Sequence, residues 1–109
     1  MLKVELLYFD GCPNWPAGLA NLKSALQEAD LDAQVQLVKI EDVVQAKRER
    51  FLGSPSIRLE GADLWPEERD EYFLECRVYQ TPQGMKGSPT VEMIRQKLTK
   101  ALSQKAGEA

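Results

Sequence analysis

Cys12 is the residue of this chain whose type and setting best suit chemistry. It stands in the run YFDGCPNWP, residues 8–16, between an apolar segment and a helical pattern. The unpaired backbone N–H groups and the partial positive charge of a helix N-terminus favour a thiolate over a thiol. Because the thiolate is the nucleophilic and metal-binding form of cysteine, we expect Cys12 to be a reactive thiol rather than an inert core residue.

The other cysteine, Cys76, alternates with polar residues in the run Leu74–Val78, which predicts a half-buried strand with Cys76 on its apolar face. We therefore interpret Cys76 as a buried structural thiol. The functional alternative is a catalytic role as the resolving thiol for Cys12. That role requires the two Cα atoms to lie within about 7 Å of each other.

Histidine is absent from the chain. Its absence removes the usual general base near neutral pH, the Cys-His nucleophile pair and the common zinc sites, so we predict no resident metal. Two cysteines this far apart do not predict a disulfide scaffold, and the N-terminus shows no signal-peptide pattern. Together these features predict a cytoplasmic protein.

The composition predicts one domain, residues 1–102, followed by a frayed tail, residues 103–109. With 43% apolar residues the 109-residue chain can bury one ordinary core. The net charge of −3 and the scattered Lys and Arg residues argue against a nucleic-acid partner. No apolar stretch approaches the roughly 20 residues of a membrane span, so we expect no membrane partner, and we favour a monomer.

The apolar periodicity predicts seven elements in the order β-α-β-α-β-β-α. The helix between the first two strands predicts that they are parallel, and the third and fourth strands should form an antiparallel pair that brings Tyr79–Thr81 near Pro55. The predicted fold is α/β, with a mixed four-stranded sheet and helices on both faces. The strands are predicted at residues 4–9, 35–40, 56–59 and 74–78, and the helices at residues 16–29, 42–52 and 91–102.

Residues 60–72 form an acidic segment that predicts a loop or a short helix. The simpler interpretation is a solvated surface. The alternative is a lid or a partner-docking segment, with Leu64 and Trp65 as apolar anchors.

Two motifs in this order of elements resemble the thioredoxin-like superfamily over roughly residues 2–102. They are GCPNW, residues 11–15, after the first strand, and GSPSI, residues 53–57, before the third strand. The resemblance implies that Cys12 takes the first-cysteine role at the N-terminus of the first helix. It also implies that Pro55 is a cis-proline which, with Ser54, positions extended substrates by backbone hydrogen bonds. Pro13 and Trp15 are further candidates for positioning the substrate. Trp15 has two equal interpretations: it covers the thiol or forms an aromatic wall for a ligand, or it simply packs over the first helix.

The motif departs from the Cys-x-x-Cys pattern of that superfamily because Trp15 stands where the second cysteine would be. No disulfide can form within the motif, so a dithiol cycle there lacks a resolving thiol. The resemblance to monothiol glutaredoxins implies a one-cysteine thiol–disulfide oxidoreductase, with no bound cofactor and with glutathione as co-substrate. Its partner would be glutathione or a protein that carries a thiol or a disulfide.

The spacing of Cys12 and Cys76 also resembles, more weakly, that of the mercury-holding cysteines of alkylmercury lyases. In that family an acid stands three residues after the first cysteine, and here the position is Trp15. This resemblance implies binding of a soft metal or an organomercurial, but not cleavage. A third alternative is a non-enzymatic binding module that has lost its second cysteine and holds a peptide or protein partner.

Overall fold

The computed structural model describes residues 1–107 of the chain and the side chains of residues 1–104. Its architecture is mixed α/β, which confirms the predicted class. Four strands form one mixed sheet, two further strands form a separate hairpin, and three helices complete the fold. In chain order the elements are β1 (Leu2–Tyr8), α1 (Trp15–Glu28), β2 (Ala33–Lys39), α2 (Val43–Glu49), β3 (Ser56–Leu59), β4 (Ala62–Asp63), β5 (Tyr79–Thr81), β6 (Gly84–Lys86) and α3 (Val91–Gly107).

Strand β1 lies inside the four-stranded sheet, whose order is β2-β1-β3-β4. It pairs in parallel with β2 over its whole length and antiparallel with β3, where Leu7 lies opposite Ser56. The apolar run of β1 suits this interior position, since Val4, Leu6 and Leu7 are all fully buried. The end of β1 therefore delivers the Cys12 loop to the same edge of the sheet at which β3 begins.

The sheet separates two apolar clusters, because successive side chains of a strand point to opposite faces. Leu6 contributes to the cluster under α1 and α3, whereas Leu7 contributes to the cluster under α2. Helices thus cover both faces, as the sequence predicts. The first cluster includes Val4, Leu22, Ala25, Leu26, Ile57, Ile94 and Leu98, and the second includes Ile40, Ala46 and Phe51.

Helix α2 is shorter than the sequence predicts. The side chain of Asp42 caps its start by accepting a 2.8 Å hydrogen bond from the Gln45 N–H. The helix ends at Glu49 because Arg50 adopts a left-handed conformation, with φ of 52°. Helix α3, by contrast, is longer than predicted: it continues to Gly107 through part of the expected tail, and residues 108–109 lie outside the described residues.

The predicted fourth strand at residues 74–78 is wrong. The fourth strand of the sheet is β4, which follows β3 through a tight turn at Glu60 and Gly61, both with positive φ. Residues 74–78 carry only an isolated parallel bridge between Cys76 and Ser54. Tyr79 and Thr81 instead enter the separate β5–β6 hairpin.

The acidic segment also differs from its docking interpretation. It contains β4 and is otherwise irregular, and Leu64 is buried in the cluster under α1 and α3. Trp65 packs against the same cluster. The two proposed anchors therefore serve the core. None of the helices in residues 1–107 has the length and apolar character to cross a membrane.

Candidate thiol site

Cys12 lies in the loop between β1 and α1 and is almost completely buried, with 2% of its surface exposed. Its backbone N–H donates a 3.1 Å hydrogen bond to the carbonyl of Phe9, which closes the turn after β1. Asn14 is the N-cap residue of α1. The loop therefore holds the thiol beneath the first turn of the helix.

Two backbone groups contact the Cys12 sulfur. The Asn14 N–H donates to Sγ at 3.4 Å, and Sγ itself donates to the Ser54 carbonyl at 3.3 Å. The first contact favours the thiolate and the second favours the thiol. The sulfur therefore has a partner in either protonation state.

Ser54 is fully buried and precedes a cis peptide bond to Pro55, as the resemblance implies. The loop lies close against α1: a Cβ added to Gly18 would meet Pro55 Cγ at 2.7 Å. Gly53 adopts a φ of 109° that favours glycine, and a Cβ there would lie 2.9 Å from Cβ of Arg77. Two glycines thus permit the close approach of the loop to its neighbours.

The segment Glu75–Arg77 runs alongside Ser54, parallel to it, and forms two backbone hydrogen bonds with it. The Ser54 N–H donates to the Glu75 carbonyl at 2.9 Å, and the Arg77 N–H donates to the Ser54 carbonyl at 2.9 Å. The Ser54 carbonyl therefore accepts hydrogen bonds from both the Arg77 backbone and the Cys12 thiol. This arrangement sets Cys76 beside Cys12.

The surroundings of Cys76 raise the pKa of its thiol. The pKa of the Cys76 thiol is raised above its ordinary value, first by partial desolvation, then by hydrogen bonding with Cys12 and by the charge on Cys12. Both cysteines are free thiols. The Ser54 bridge thus brings the Cys76 segment to the Cys12 thiol, which is the arrangement that the resolving-thiol alternative requires.

Cys76 is exposed, so its predicted burial on a strand face is wrong. The alternation is inverted: Arg77 is buried, whereas Val78 is 59% exposed. The reason is electrostatic. Arg77 forms a buried ion pair with a partner that the sequence pattern does not reveal. Because the Arg77 side chain points inward, the neighbouring Cys76 side chain points outward.

Asp63 is that partner. Its two carboxylate oxygens accept hydrogen bonds of 3.1 and 3.0 Å from Nη1 of Arg77, and both side chains are at most 10% exposed. Arg77 also donates to Ser56 Oγ at 3.1 Å and to the Trp65 carbonyl. The guanidinium group therefore ties the Cys76 segment to β3, β4 and the loop that follows β4.

Tyr79 supports the cis-proline loop from the same side. Its hydroxyl donates a 2.6 Å hydrogen bond to the Pro55 carbonyl, and its ring lies 5.1 Å from the guanidinium carbon of Arg77. Burial raises the pKa of Tyr79, so the phenol stays protonated and can donate. The prediction that Tyr79 lies near Pro55 is confirmed, although the predicted strand pairing is not.

Three residues near Cys12 in sequence make no hydrogen bond with its sulfur. Trp15 stacks on Tyr8 with ring centroids 4.2 Å apart. Pro13 is exposed. Asp10 forms a 2.7 Å ion pair with Lys39, which raises the pKa of Lys39. None of these contacts involves the Cys12 sulfur.

The sequence analysis missed Arg77 and Asp63. Arg77 occupies the polar position of an alternating pattern, and Asp63 is one of several acidic residues in residues 60–72. No local signal distinguishes either residue. Only the antiparallel pairing of Arg58 with Asp63 in the β3–β4 turn brings the carboxylate to this side of the sheet.

The chemistry available at the site is that of two sulfurs. Among the described side chains, no group of three or more His, Cys, Asp or Glu residues is placed to hold a metal ion. The hydroxyl of Ser54 is buried and has no hydrogen-bond partner within the described part of the chain. Two adjacent thiols can close into a disulfide or hold one soft cation in two-coordinate geometry.

Comparison with family models, curated proteins and solved structures gave no match to this chain.

Proposed function

We propose that the protein is a thiol–disulfide oxidoreductase that cycles Cys12 and Cys76 between a dithiol and a disulfide. The observation that carries the proposal is that Ser54 is shared by both cysteines: its carbonyl accepts from the Cys12 thiol, and its backbone forms a parallel bridge with Cys76. Cys76 thereby takes the role of the second cysteine, which the motif around Cys12 lacks. The proposed fold family is thioredoxin-like, and the cis bond at Pro55 beside a cysteine that precedes a helix supports it.

The backbone of the site supports redox cycling in two ways. The Asn14 N–H is a hydrogen-bond donor for a thiolate at Cys12, and the Ser54 carbonyl is an acceptor for the thiol, so neither state needs a histidine. The two hydrogen bonds between Ser54 and the Glu75–Arg77 segment keep Cys76 within reach, so little conformational entropy is lost when the disulfide closes. In the cycle, a partner disulfide takes up two electrons while the two thiols lose their protons and form one S–S bond.

The test is incubation of the reduced native protein with oxidised glutathione, followed by intact-mass analysis without reduction. The wild type is expected to lose two hydrogens through a Cys12–Cys76 disulfide and to retain no glutathione at the end point. The single variants Cys12→Ser and Cys76→Ser are expected to stop at a glutathione adduct or at the free thiol. The matched control is the same incubation in denaturant, where both thiols are accessible.

Two other outcomes would overturn the proposal. A stable glutathione adduct on the wild type, lost only in Cys12→Ser, would indicate the one-cysteine cycle implied by the motif. A native protein that forms neither product, while the denatured chain reacts, would indicate a binding module with no redox role.

A second candidate function is binding of a soft cation by the same two sulfurs. It is favoured by the same placement of both cysteines at Ser54, because two thiolates satisfy a two-coordinate Cu⁺ or Hg²⁺ ion without further ligands. The expected result is one ion bound per chain, with affinity reduced in each single Cys→Ser variant. Equal binding by the wild type and Cys76→Ser would exclude a site made by both sulfurs.

A further inference from the structure

We propose that Cys76, and not Cys12, is the sulfur that exchanges with external thiols and disulfides, and that Cys12 is its internal partner. This inference rests on the proposed redox function and assigns the order of its steps. It reverses the roles that the sequence motif implies. Three features of the site carry it: access to the sulfurs, the use of the Ser54 backbone, and the support given to a thiolate.

Access favours Cys76. Thiol–disulfide exchange needs a nearly collinear approach of the attacking sulfur, so a covered sulfur reacts slowly. Cys12 is 2% exposed, and its sulfur lies between the Asn14 N–H and the Ser54 carbonyl. Cys76 is exposed on the outer side of the pair.

The Ser54 backbone is already occupied. An extended partner chain that approached Cys12 along the backbone beside Pro55 would need the N–H and carbonyl of Ser54 to be free. The N–H and carbonyl of Ser54 are bonded instead to Glu75 and Arg77 of the same chain. The Glu75–Arg77 segment therefore lies where a partner peptide would have to bind, and it presents Cys76 to Cys12 as a bound peptide would present its cysteine.

The third feature is the hydrogen-bond donor at Cys12. Attack on Cys76 Sγ expels Cys12 as the leaving sulfur, and the Asn14 N–H lies 3.4 Å from Cys12 Sγ. A hydrogen bond donated to a sulfur favours its charged form. The Ser54 carbonyl accepts from the same sulfur once Cys12 has taken up a proton.

The steps balance as follows. An external thiolate attacks Cys76 Sγ, a new S–S bond forms, the Cys12–Cys76 bond breaks, and its electron pair leaves on Cys12 as the thiolate. A second external thiolate then attacks the external sulfur of the mixed disulfide. Cys76 leaves as a thiolate and takes a proton from solvent, and the two external thiols become one disulfide. The reverse sequence reoxidises the pair at the expense of an external disulfide.

The experiment starts from the wild-type protein with its Cys12–Cys76 disulfide already formed. A short pulse of reduced glutathione is quenched with acid, free thiols are alkylated with N-ethylmaleimide, and the adducts are located by peptide mass spectrometry. In the transient mixed disulfide we expect glutathione on Cys76 and N-ethylmaleimide on Cys12, with roughly tenfold or greater preference. A majority of glutathione on Cys12 would overturn the assignment.

The single variants give an independent measurement. In native buffer, Cys12→Ser is expected to form its adduct with oxidised glutathione at least about tenfold faster than Cys76→Ser. This difference in rate between the two variants is expected to disappear in denaturant, where both sulfurs are exposed. Faster native reaction of Cys76→Ser would contradict the assignment.

The failure of this inference is distinguishable from failure of the proposed function. If no Cys12–Cys76 disulfide forms, the proposed two-cysteine cycle is wrong and so is any order of exchange within it. If the disulfide forms and glutathione maps to Cys12, the function stands and only the assignment of Cys76 is wrong.

Discussion

The two Gly-Ser-Pro triplets of the chain have the same residues and different structures. In residues 53–55 the glycine has a φ of 109°, the serine is fully buried and the proline bond is cis. In residues 87–89 the serine is half-buried, and the triplet leads to α3. Both lie against α1, where a Cβ on Gly18 would meet Pro55 at 2.7 Å and Ser88 Cβ at 3.8 Å.

The difference arises from what each triplet contacts. Residues 53–55 exchange backbone hydrogen bonds with the Glu75–Arg77 segment, and the Tyr79 hydroxyl donates a further bond to the Pro55 carbonyl. The second triplet contacts flexible side chains: Asn14 lies against Gly87, and the Asn21 amide donates to the Pro89 carbonyl at 2.9 Å. Tertiary partners, rather than the tripeptide itself, therefore determine which triplet forms a chemical site.

The largest effect is expected from removing the residue that fixes the first triplet to its partner segment. Arg77→Met leaves Asp63 buried without its ion-pair partner, so we expect a loss of about 4 kcal/mol in the free energy of unfolding. Formation of the Cys12–Cys76 disulfide should slow at the same time. Urea unfolding and a glutathione oxidation assay measure both quantities.

Arg95→Met is the matched control, because the exposed Arg95–Glu92 pair lies within one helix. It should leave the free energy of unfolding close to that of the wild type, because solvent screens an exposed ion pair. If Arg77→Met proves equally mild, the ion pair does not hold the Cys76 segment in place.

Alanine substitutions at the two triplet glycines should give the next largest difference in stability between the triplets. In Gly53→Ala the new Cβ lies 3.1 Å from the Arg77 backbone, and the alanine must adopt a φ of 109°, which is strained for any residue but glycine. We therefore expect the free energy of unfolding to fall by about 3 kcal/mol. In Gly87→Ala the nearest atom is the amide nitrogen of Asn14, at the end of a flexible side chain, and the loss should be about 1 kcal/mol. Thermal or urea unfolding of the pair is decisive: equal losses would remove the distinction between the triplets.

The triplet serines should show a smaller effect of opposite sign. Ser54 Oγ is buried with no hydrogen-bond partner among residues 1–104, so Ser54→Ala should raise the free energy of unfolding by about 1 kcal/mol. Ser88→Ala, at a half-buried position, should stay within about 0.5 kcal/mol of the wild type. A loss of stability in Ser54→Ala would mean that the hydroxyl has a partner after all, such as a buried water.

The pH dependence of Cys76 alkylation gives the smallest and most local test. Because the pKa of Cys76 is raised, its thiolate forms only above the pH at which an ordinary thiol ionises, and iodoacetamide should react more slowly at pH 8 than with the unfolded chain. In Cys12→Ser one cause of the shift is gone, so the midpoint of the rate profile should move to lower pH. An unchanged midpoint would show that the two thiols do not interact.

Much of the fold could be predicted from sequence because local patterns encode it. The apolar run of β1 and the periodic stripe of α1 each match a single type of element, and the helix between β1 and β2 dictates their parallel pairing. The pairing of β3 with β4 was missed because β4 has only two residues, too few to show periodicity.

Only part of the candidate site could be predicted from the sequence. Cys12, Ser54 and Pro55 lie in motifs with local signals, and the structure brings all three together. The predicted burial of Cys76 is wrong because the alternating pattern places Arg77 on the outer face of a strand, whereas the ion pair with Asp63 buries Arg77 and leaves Cys76 exposed. Such a pair depends on contacts between distant segments, which a single sequence does not display.

The bridge between Ser54 and Cys76 also has a consequence for folding. Cys12 and Cys76 stand 64 positions apart, and they meet only when the Ser54 loop has docked on both. Closing a loop of that length with a disulfide lowers the entropy of the unfolded chain by an amount worth about 4 kcal/mol. By thermodynamic reciprocity the folded chain protects its disulfide by the same amount, so rapid, selective oxidation of this pair would report that folding is complete.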